Sequence, residues 1–345
     1  EHFLYGAGES QIVSPTGEVL AKAPRSGEAV ITADIDLTEA RAKRRPDGTH
    51  VFAERRPGLY TALGEEPRPV LSRAGAPTLQ AATFVPAHDG PSCLAEVGAG
   101  IEEAARAGVE LLVLPELVLF EGGRVAVAAA DAEARSRAAV ETLRMACARA
   151  RQATGRSPHV VTSLALREGE ALRHMGVLLG DGGVLLEQPQ LHRSERHRWA
   201  SPGNELLTAR LPWGRVALVV GDDSLYPEVF RLLALQQVDV VCVSTHVTER
   251  WEVELGLVER AAENRMCLVA ATRPTAAGTS LLATLWDDFT LMTPWKERAF
   301  DGEISHPRVQ RAPFGPGLTT FELHPRATSN KSVSHRTHLV DDRPW

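Results

Sequence analysis

Basic charge is scarce in this sequence. Lys and Arg number 38 against 44 Asp and Glu, a formal net charge of -6 at pH 7, which leaves no basic footprint for nucleic acid and excludes that class of partner. No apolar run approaches the ~20 residues that a membrane span needs, so no membrane segment is expected. Cysteines are few: Cys93, Cys147, Cys242 and Cys267 lie far apart and form no Cys-x-x-Cys pair. Three of them fall within apolar or helical runs, which reads as reduced, buried thiols in a cytosolic protein. Metal-ligand spacing is absent, and no metal or cofactor is expected.

An apolar share of 43% with 24% charged residues is ordinary for a globular protein with a real core. At 345 residues the chain has room for one large domain or one and a half smaller ones. It opens on Glu1 in Glu-His-Phe-Leu-Tyr, with neither a methionine nor a signal-peptide pattern.

The first segment carries a strand, turn and strand over Ser10 to Leu20, with Ser14-Pro-Thr-Gly17 as a turn bearing proline at its second position. A further strand is expected over Ala29 to Asp36. From about Ala62 to Pro77 the sequence is rich in Pro, Gly and Glu and reads as a linker. An alternating pattern follows. Strands are expected at Thr78 to Val85, Val109 to Leu114, His159 to Ala165, Val216 to Val220, Val238 to Ser244 and Met266 to Thr272. A hairpin is expected over Met175 to Glu187. Helices are expected over Cys93 to Ala107, with Gly108 as its C-cap, and over Ala130 to Thr154, Val229 to Gln236 and Val253 to Asn264. Strands alternating with helices argue for a layered α/β domain.

The two ends of the chain repeat each other. Asp34 to Thr49 aligns with Glu322 to Thr337 without a gap, Arg56-Pro57 matches Arg343-Pro344, and Gly8-Glu-Ser-Gln-Ile matches Gly278-Thr-Ser-Leu-Leu. One reading is chance similarity between charged strand ends. The other makes residues 1–61 the C-terminal tail of an upstream domain, 62–77 a linker and 78–345 a complete second copy.

The order Leu114-Pro-Glu-Leu117, Gln190-Leu-His192, Gly221-Asp-Asp…Tyr226-Pro-Glu228 and Arg260-Ala-Ala-Glu-Asn264 resembles the nitrilase, or carbon–nitrogen hydrolase, superfamily over 78–345. The resemblance implies a four-layer αββα sandwich and pairing of two such domains through their helices, hence a homo- or hetero-oligomer. It also implies a cysteine–glutamate–lysine site, in which a thiolate attacks an amide or nitrile carbon, the glutamate moves the proton and the lysine stabilises the developing charge.

Carried over residue by residue, that pattern keeps only Glu116. Gln190 stands at the lysine position, and Arg198 falls at the position of a second glutamate. Gly221 stands at the cysteine, on a strand-turn-helix elbow of the kind that presents a nucleophile. Glycine cannot be a nucleophile, so covalent catalysis at this position is excluded. Of possible substitutes, Ser224 lacks a base close in sequence, and Cys242 between Val241 and Val243 reads as a core thiol. His192-Arg-Ser-Glu-Arg-His-Arg198 has poor metal spacing and reads as a solvated charged loop. Glu263 and Asn264 are expected to make supporting hydrogen bonds beneath the elbow. Without its lysine, Glu116 would be a costly unpaired acid, so a pair with Arg198 or another arginine of that loop is expected to fill the old pocket.

These readings point to a catalytically degenerate domain that serves as structural partner of an active copy, upstream or on a separate chain. Two alternatives stand beside it: an amidase or nitrilase whose chemistry is supplied by the other half, and a module that binds a small carboxylate or amide without turning it over.

Overall fold

The computed structural model describes residues 8–41, 43–65, 74–285, 307–334 and 337–341. It divides into two compact units, Glu1–Ala53 and Glu54–Trp345. Residues 66–73 of the expected linker, and Arg336, Arg343 and Pro344 of the repeat, lie outside the described residues.

In the first unit β1 (Gln11–Val13) and β2 (Val19–Lys22) form an antiparallel hairpin. The Ser14 hydroxyl accepts the amides of Thr16 and Glu18, and Gly17 closes the turn at φ +90. The strand expected over Ala29 to Asp36 is absent as a ladder: the backbone there pairs with no described strand. The alternation that predicts a strand is present, and the edge that would complete one is not.

The second unit holds two six-stranded sheets. The first is built from β3 (Leu79–Val85), β4 (Leu111–Val113), β5 (His159–Glu168), β6 (Ala171–Gly180) and β7 (Gly183–Pro189), and a late strand, β14 (Gly317–Leu323), joins it beside β3. The second runs β13 (Arg308–Arg311), β12 (Leu281–Thr284), β11 (Cys267–Ala271), β10 (Val240–Ser244), β9 (Gly214–Val220) and β8 (Thr208–Leu211). Strands β9, β10 and β11 are parallel and buried on both faces, which is why they read as unbroken Val/Leu/Ala runs.

The sheets meet through alternate residues, among them Leu111, Val113, Val161, Leu178, Val216 and Leu218. The opposite face of the first sheet packs Leu112 and Val160 against Val97 and Ile101 of α1 (Cys93–Arg106) and Leu143 of α2 (Ala129–Thr154). Helices α3 (Pro227–Leu235) and α4 (Leu257–Asn264) lie on the second sheet's side, α4 against β11 and β12 and α3 against α4. The architecture is αββα. A π-turn, Glu252–Gly256, leads directly into α4.

No described helix is long and apolar enough to cross a membrane. Two short segments, Pro57–Leu59 and Thr61–Gly64, also belong to the second unit, so its compact body begins at Glu54, ahead of Thr78.

Candidate active site

The C-terminal ends of β4 and β9, with the strand interiors of β5 and β6 and the segment after β7, converge on one buried cluster. Val216-Ala-Leu-Val-Val ends at Gly221, whose φ of +56 lies in the left-handed region that favours glycine. A 3₁₀ turn over Gly221–Leu225 then hands the chain to α3, with Pro227 in its first turn. The elbow expected from the sequence is therefore built.

The space in front of it is filled. A Cβ placed on Gly221 would lie 3.1 Å from Cε1 of His174 and 3.3 Å from Cε1 of His197, tighter than ordinary van der Waals contact. The two imidazoles stand edge to face with centroids 4.4 Å apart, and Trp199 closes behind them.

His174, on β6, is held at both nitrogens. Nδ1 meets Gln190 Oε1 at 2.7 Å, and Nε2 meets the Ser163 hydroxyl at 2.9 Å. An amide oxygen only accepts, so Nδ1 carries the proton and Ser163 donates to Nε2, while the Ser163 oxygen accepts the Leu117 amide at 3.0 Å. This chain closes with a neutral ring. Burial and the neighbouring His197 push the His174 pKa down to about 3, so the ring stays neutral well into acid. Gln190, expected at the lysine position, orients this imidazole.

Glu116 follows β4 and is fully buried. Burial alone would raise its pKa, but the Arg196 guanidinium and His197 hold it well below the usual carboxylate range. Arg196 Nη1 and Nη2 lie 3.2 and 3.3 Å from the two carboxylate oxygens, and Nη2 also donates to Asp222 Oδ1 at 2.6 Å. His197 Nε2 sits 2.6 Å from Glu116 Oε1, close but off the line of a hydrogen bond. Asp222 also accepts the Ser194 hydroxyl. Burial opposes its charge, yet Arg196 and His197 keep its pKa lowered. Arg273 secures the strand exit from outside, donating to the carbonyls of Glu116 and Leu117.

Several expectations are corrected here. The expected pair is made by another arginine of the loop: Arg196 meets Glu116 with its side chain 17% exposed, whereas Arg198 is 76% exposed and pairs with Glu195. Nor is the 192–198 segment a solvated loop, since His192, Ser194 and His197 are all buried. Glu263 bonds Arg260 and Asn264 of its own helix, and among the described residues no bond joins it to the elbow. Asn264 likewise bonds within α4, through the Arg260 carbonyl.

Sequence reasoning misses His174 and Ser163 because an isolated polar residue in an apolar strand carries no motif. The only signal is that each interrupts a run that is otherwise buried. Two histidines line the elbow at Gly221, but among the described residues no hydrogen bond joins either of them to Ser224. Ser224 donates its proton to the Gly221 carbonyl at 3.0 Å.

No thiol is poised for attack. All four cysteines are buried and free. Burial drives the Cys242 thiol far upward and pushes Cys93 up to about 12 and Cys147 and Cys267 up to about 11. Glu116, His174 and His197 bring an oxygen and ring nitrogens within 4.8 Å of one another, a spacing a metal could share. With both His174 nitrogens engaged and Arg196 on Glu116, two of the three groups are already spent and only His197 has nitrogens without a hydrogen bond, so the cluster does not fit a cation.

On the far side of the elbow Asp223 accepts the amides of Leu191 and His192 at 2.7 and 2.9 Å and His192 Nδ1 at 2.8 Å. His192 stacks on Tyr226 with centroids 3.6 Å apart, and its Nε2 accepts the Tyr60 hydroxyl at 2.5 Å. Arg56 donates to the carbonyls of Leu191 and Gly203, so residues 54–60 are moored beside the elbow.

The carbon–nitrogen hydrolase family model matches residues 78–313. The chain belongs to this family. N-carbamoylputrescine amidase of Arabidopsis thaliana is 46% identical over 56 residues, 16% of this chain and 18% of that protein. The Solanum tuberosum enzyme of the same name is 45% identical over 56 residues, with the same coverage of 16% and 18%. The chain thus matches under a fifth of these curated relatives' length. Among solved structures, an amidase from Nesterenkonia sp. superposes with a TM-score of 0.57 at 21% identity, covering 76% of this chain and 95% of that one. A variant of that amidase, carrying the acetamide moiety of fluoroacetamide on its active-site cysteine, gives a TM-score of 0.58 at 20% identity, with coverage of 76% and 95%. These likenesses establish the fold.

Proposed function

We propose that this carbon–nitrogen hydrolase domain has lost hydrolysis and serves as the structural partner of an active domain of the same family. The observation that carries the proposal is the filled elbow: Gly221 offers no nucleophile, and His174 and His197 take the space a side chain would need. The rest of the machinery agrees with it. Glu116 is locked as a carboxylate by Arg196, and Gln190 cannot supply the missing positive charge. With the pocket packed by the chain's own side chains, a small-ligand module is the weaker reading. Four free, buried cysteines fit a reducing compartment, and we place the protein in the cytoplasm.

The intact chain is tested against butyramide and N-carbamoylputrescine, compounds named for its relatives. No turnover above buffer is expected. Hydrolysis that disappears on Glu116→Gln would overturn the proposal. Gly221→Cys is expected to restore nothing, because the new side chain meets two imidazoles and finds no lysine. Turnover by that variant would show that the site is one substitution from activity.

A further inference from the structure

We propose that residues 8–53 form the closing element of a second carbon–nitrogen hydrolase fold, built to dock on a domain of that family lacking its own counterpart of β12 to β16. The inference rests on the partner role above and names the surface that would carry it.

The first unit repeats much of the backbone pairing at the end of the second, with a bulge of its own between Ile12 and Val13. The β1–β2 hairpin pairs Gln11 with Lys22 and Ile12 with Ala21, as β12–β13 pairs Leu281 with Arg311 and Leu282 with Gln310. Beyond the hairpins, Ala23 N donates to Ser10 O at 2.8 Å, and Ala312 N donates to Ser280 O at 2.8 Å. Further along, the agreement continues at one constant offset. Glu39 N bonds Asp36 O as Ala327 N bonds His324 O, and Val51 N bonds Lys43 O as Leu339 N bonds Lys331 O. An isolated bridge joins Arg44 to His50 where β15 (Ser332–Ser334) and β16 (Thr337–His338) join Ser332 to His338. His50 Nδ1 accepts the Ala53 amide at 3.1 Å, and His338 Nδ1 accepts the Asp341 amide at 3.2 Å.

Their surroundings differ. In the second unit β12 is flanked by β11, β14 pairs with β3, and Leu281, Leu282, Leu323 and Val340 are buried. In the first unit the counterpart of β14, residues 29–35, forms no ladder with any described strand. Val13, Ile35, Leu37 and Phe52 are 46, 41, 73 and 58% exposed. Seven of the fourteen large hydrophobics exposed among the described residues fall in this short unit. A concentration of exposed apolar side chains along unpaired strand edges marks a surface meant to be covered.

The second unit shows what covers it. There Lys331 Nζ donates to the carbonyls of Arg265 at 2.7 Å and Asn264 at 3.4 Å, at the C-terminal end of α4, where a cation meets the helix dipole. Its counterpart Lys43 is exposed and lies over the Phe52 ring at 5.4 Å. The fitting partner therefore presents two open sheet edges, of the β11 and β3 kind, and a helix C-terminus of the α4 kind.

The test exchanges residues 317–341 of the full chain for residues 29–53, which are equal in length. The chimera is expected to unfold cooperatively with a midpoint within about 10 °C of the parent, whereas a scrambled insert melts without a transition. Since the exchanged segment could fail on packing detail alone, a second measurement uses the full chain cleaved at an engineered protease site within 312–316. A fluorescent synthetic peptide of residues 29–53 is expected to bind the cleaved chain saturably and to be displaced by a 317–341 peptide. A chimera that melts like the scramble, together with no displaceable peptide binding, overturns the proposal. Neither readout involves amide hydrolysis, so this failure is separable from failure of the functional reading.

Discussion

Two neighbouring aspartates of the elbow, Asp222 and Asp223, are both buried yet solved in opposite ways. Asp222 faces the Glu116 side, where its charge is met by the Arg196 guanidinium that Glu116 shares. Asp223 faces the mooring side, where two backbone amides and the His192 ring meet it. One solution depends on a single cation serving two acids. The other spreads its donors over backbone that is already fixed. The first side therefore holds two buried carboxylates against one guanidinium. They stabilise only while they remain paired.

The largest effect should follow from removing the shared cation. Arg196→Met leaves buried Glu116 and Asp222 without their shared guanidinium, with only His197 and the Ser194 hydroxyl beside them, and is expected to cost about 3–5 kcal/mol in urea unfolding. Adding Glu116→Gln to that variant should recover part of the loss, because the two residues act as one unit. A double mutant no more stable than the single one would break the claim that the acids share the cation. Asp223→Ala should cost less, about 2–3 kcal/mol, since three donors lose one acceptor but no opposite charge is stranded. If Asp223→Ala proved the more damaging, the contrast between the two sides would be reversed.

Acid should reveal the same asymmetry. The folded His174 pKa, about 3, lies below its unfolded value near 6.5, so between those limits the unfolded chain holds a proton that the folded chain refuses. Stability from this group is full above 6.5 and falls as pH drops through that window. Glu116 and Asp222 are likewise depressed in the fold and add a further loss below their ordinary values of 4.5 and 3.8. The folding free energy should therefore decline from about pH 6.5 downward. His174→Gln should flatten the decline above pH 4.5 and leave the carboxylate part. An unchanged slope between pH 6.5 and 4.5 in that variant would remove His174 from the account.

Much of the frame is legible in the residues themselves. Continuous Val/Leu/Ala runs of this length suit strands buried on both faces, and a glycine between such a run and Pro227 marks a turn. The empty elbow and the missing lysine can be read because they are positions along a spacing. What cannot be read is the filling. Arg193, Arg196 and Arg198 share one short segment, and which of them turns inward depends on the Ser194 cap and the 3₁₀ turn that follows it. His174 reaches Gly221 from the facing sheet, across strands far apart in sequence. The strand expected over 29–36 shows the converse: residue pattern supplies the propensity, but a ladder also needs an edge.

The smallest effects concern residues that touch only one side. Tyr60→Phe removes the hydroxyl that His192 accepts, and about 1 kcal/mol is expected. That loss should appear as faster proteolysis within 54–64, with the acid profile left in place, because the hydroxyl belongs to the mooring side. Arg198→Ala removes a solvent-exposed pair with Glu195, whose worth is within about 0.5 kcal/mol. The two arginines lie two positions apart, yet their predicted losses differ severalfold. A loss on Arg198→Ala approaching that of Arg196→Met would mean that the charge holding Glu116 is drawn from the whole segment, and the assignment to Arg196 alone would fall.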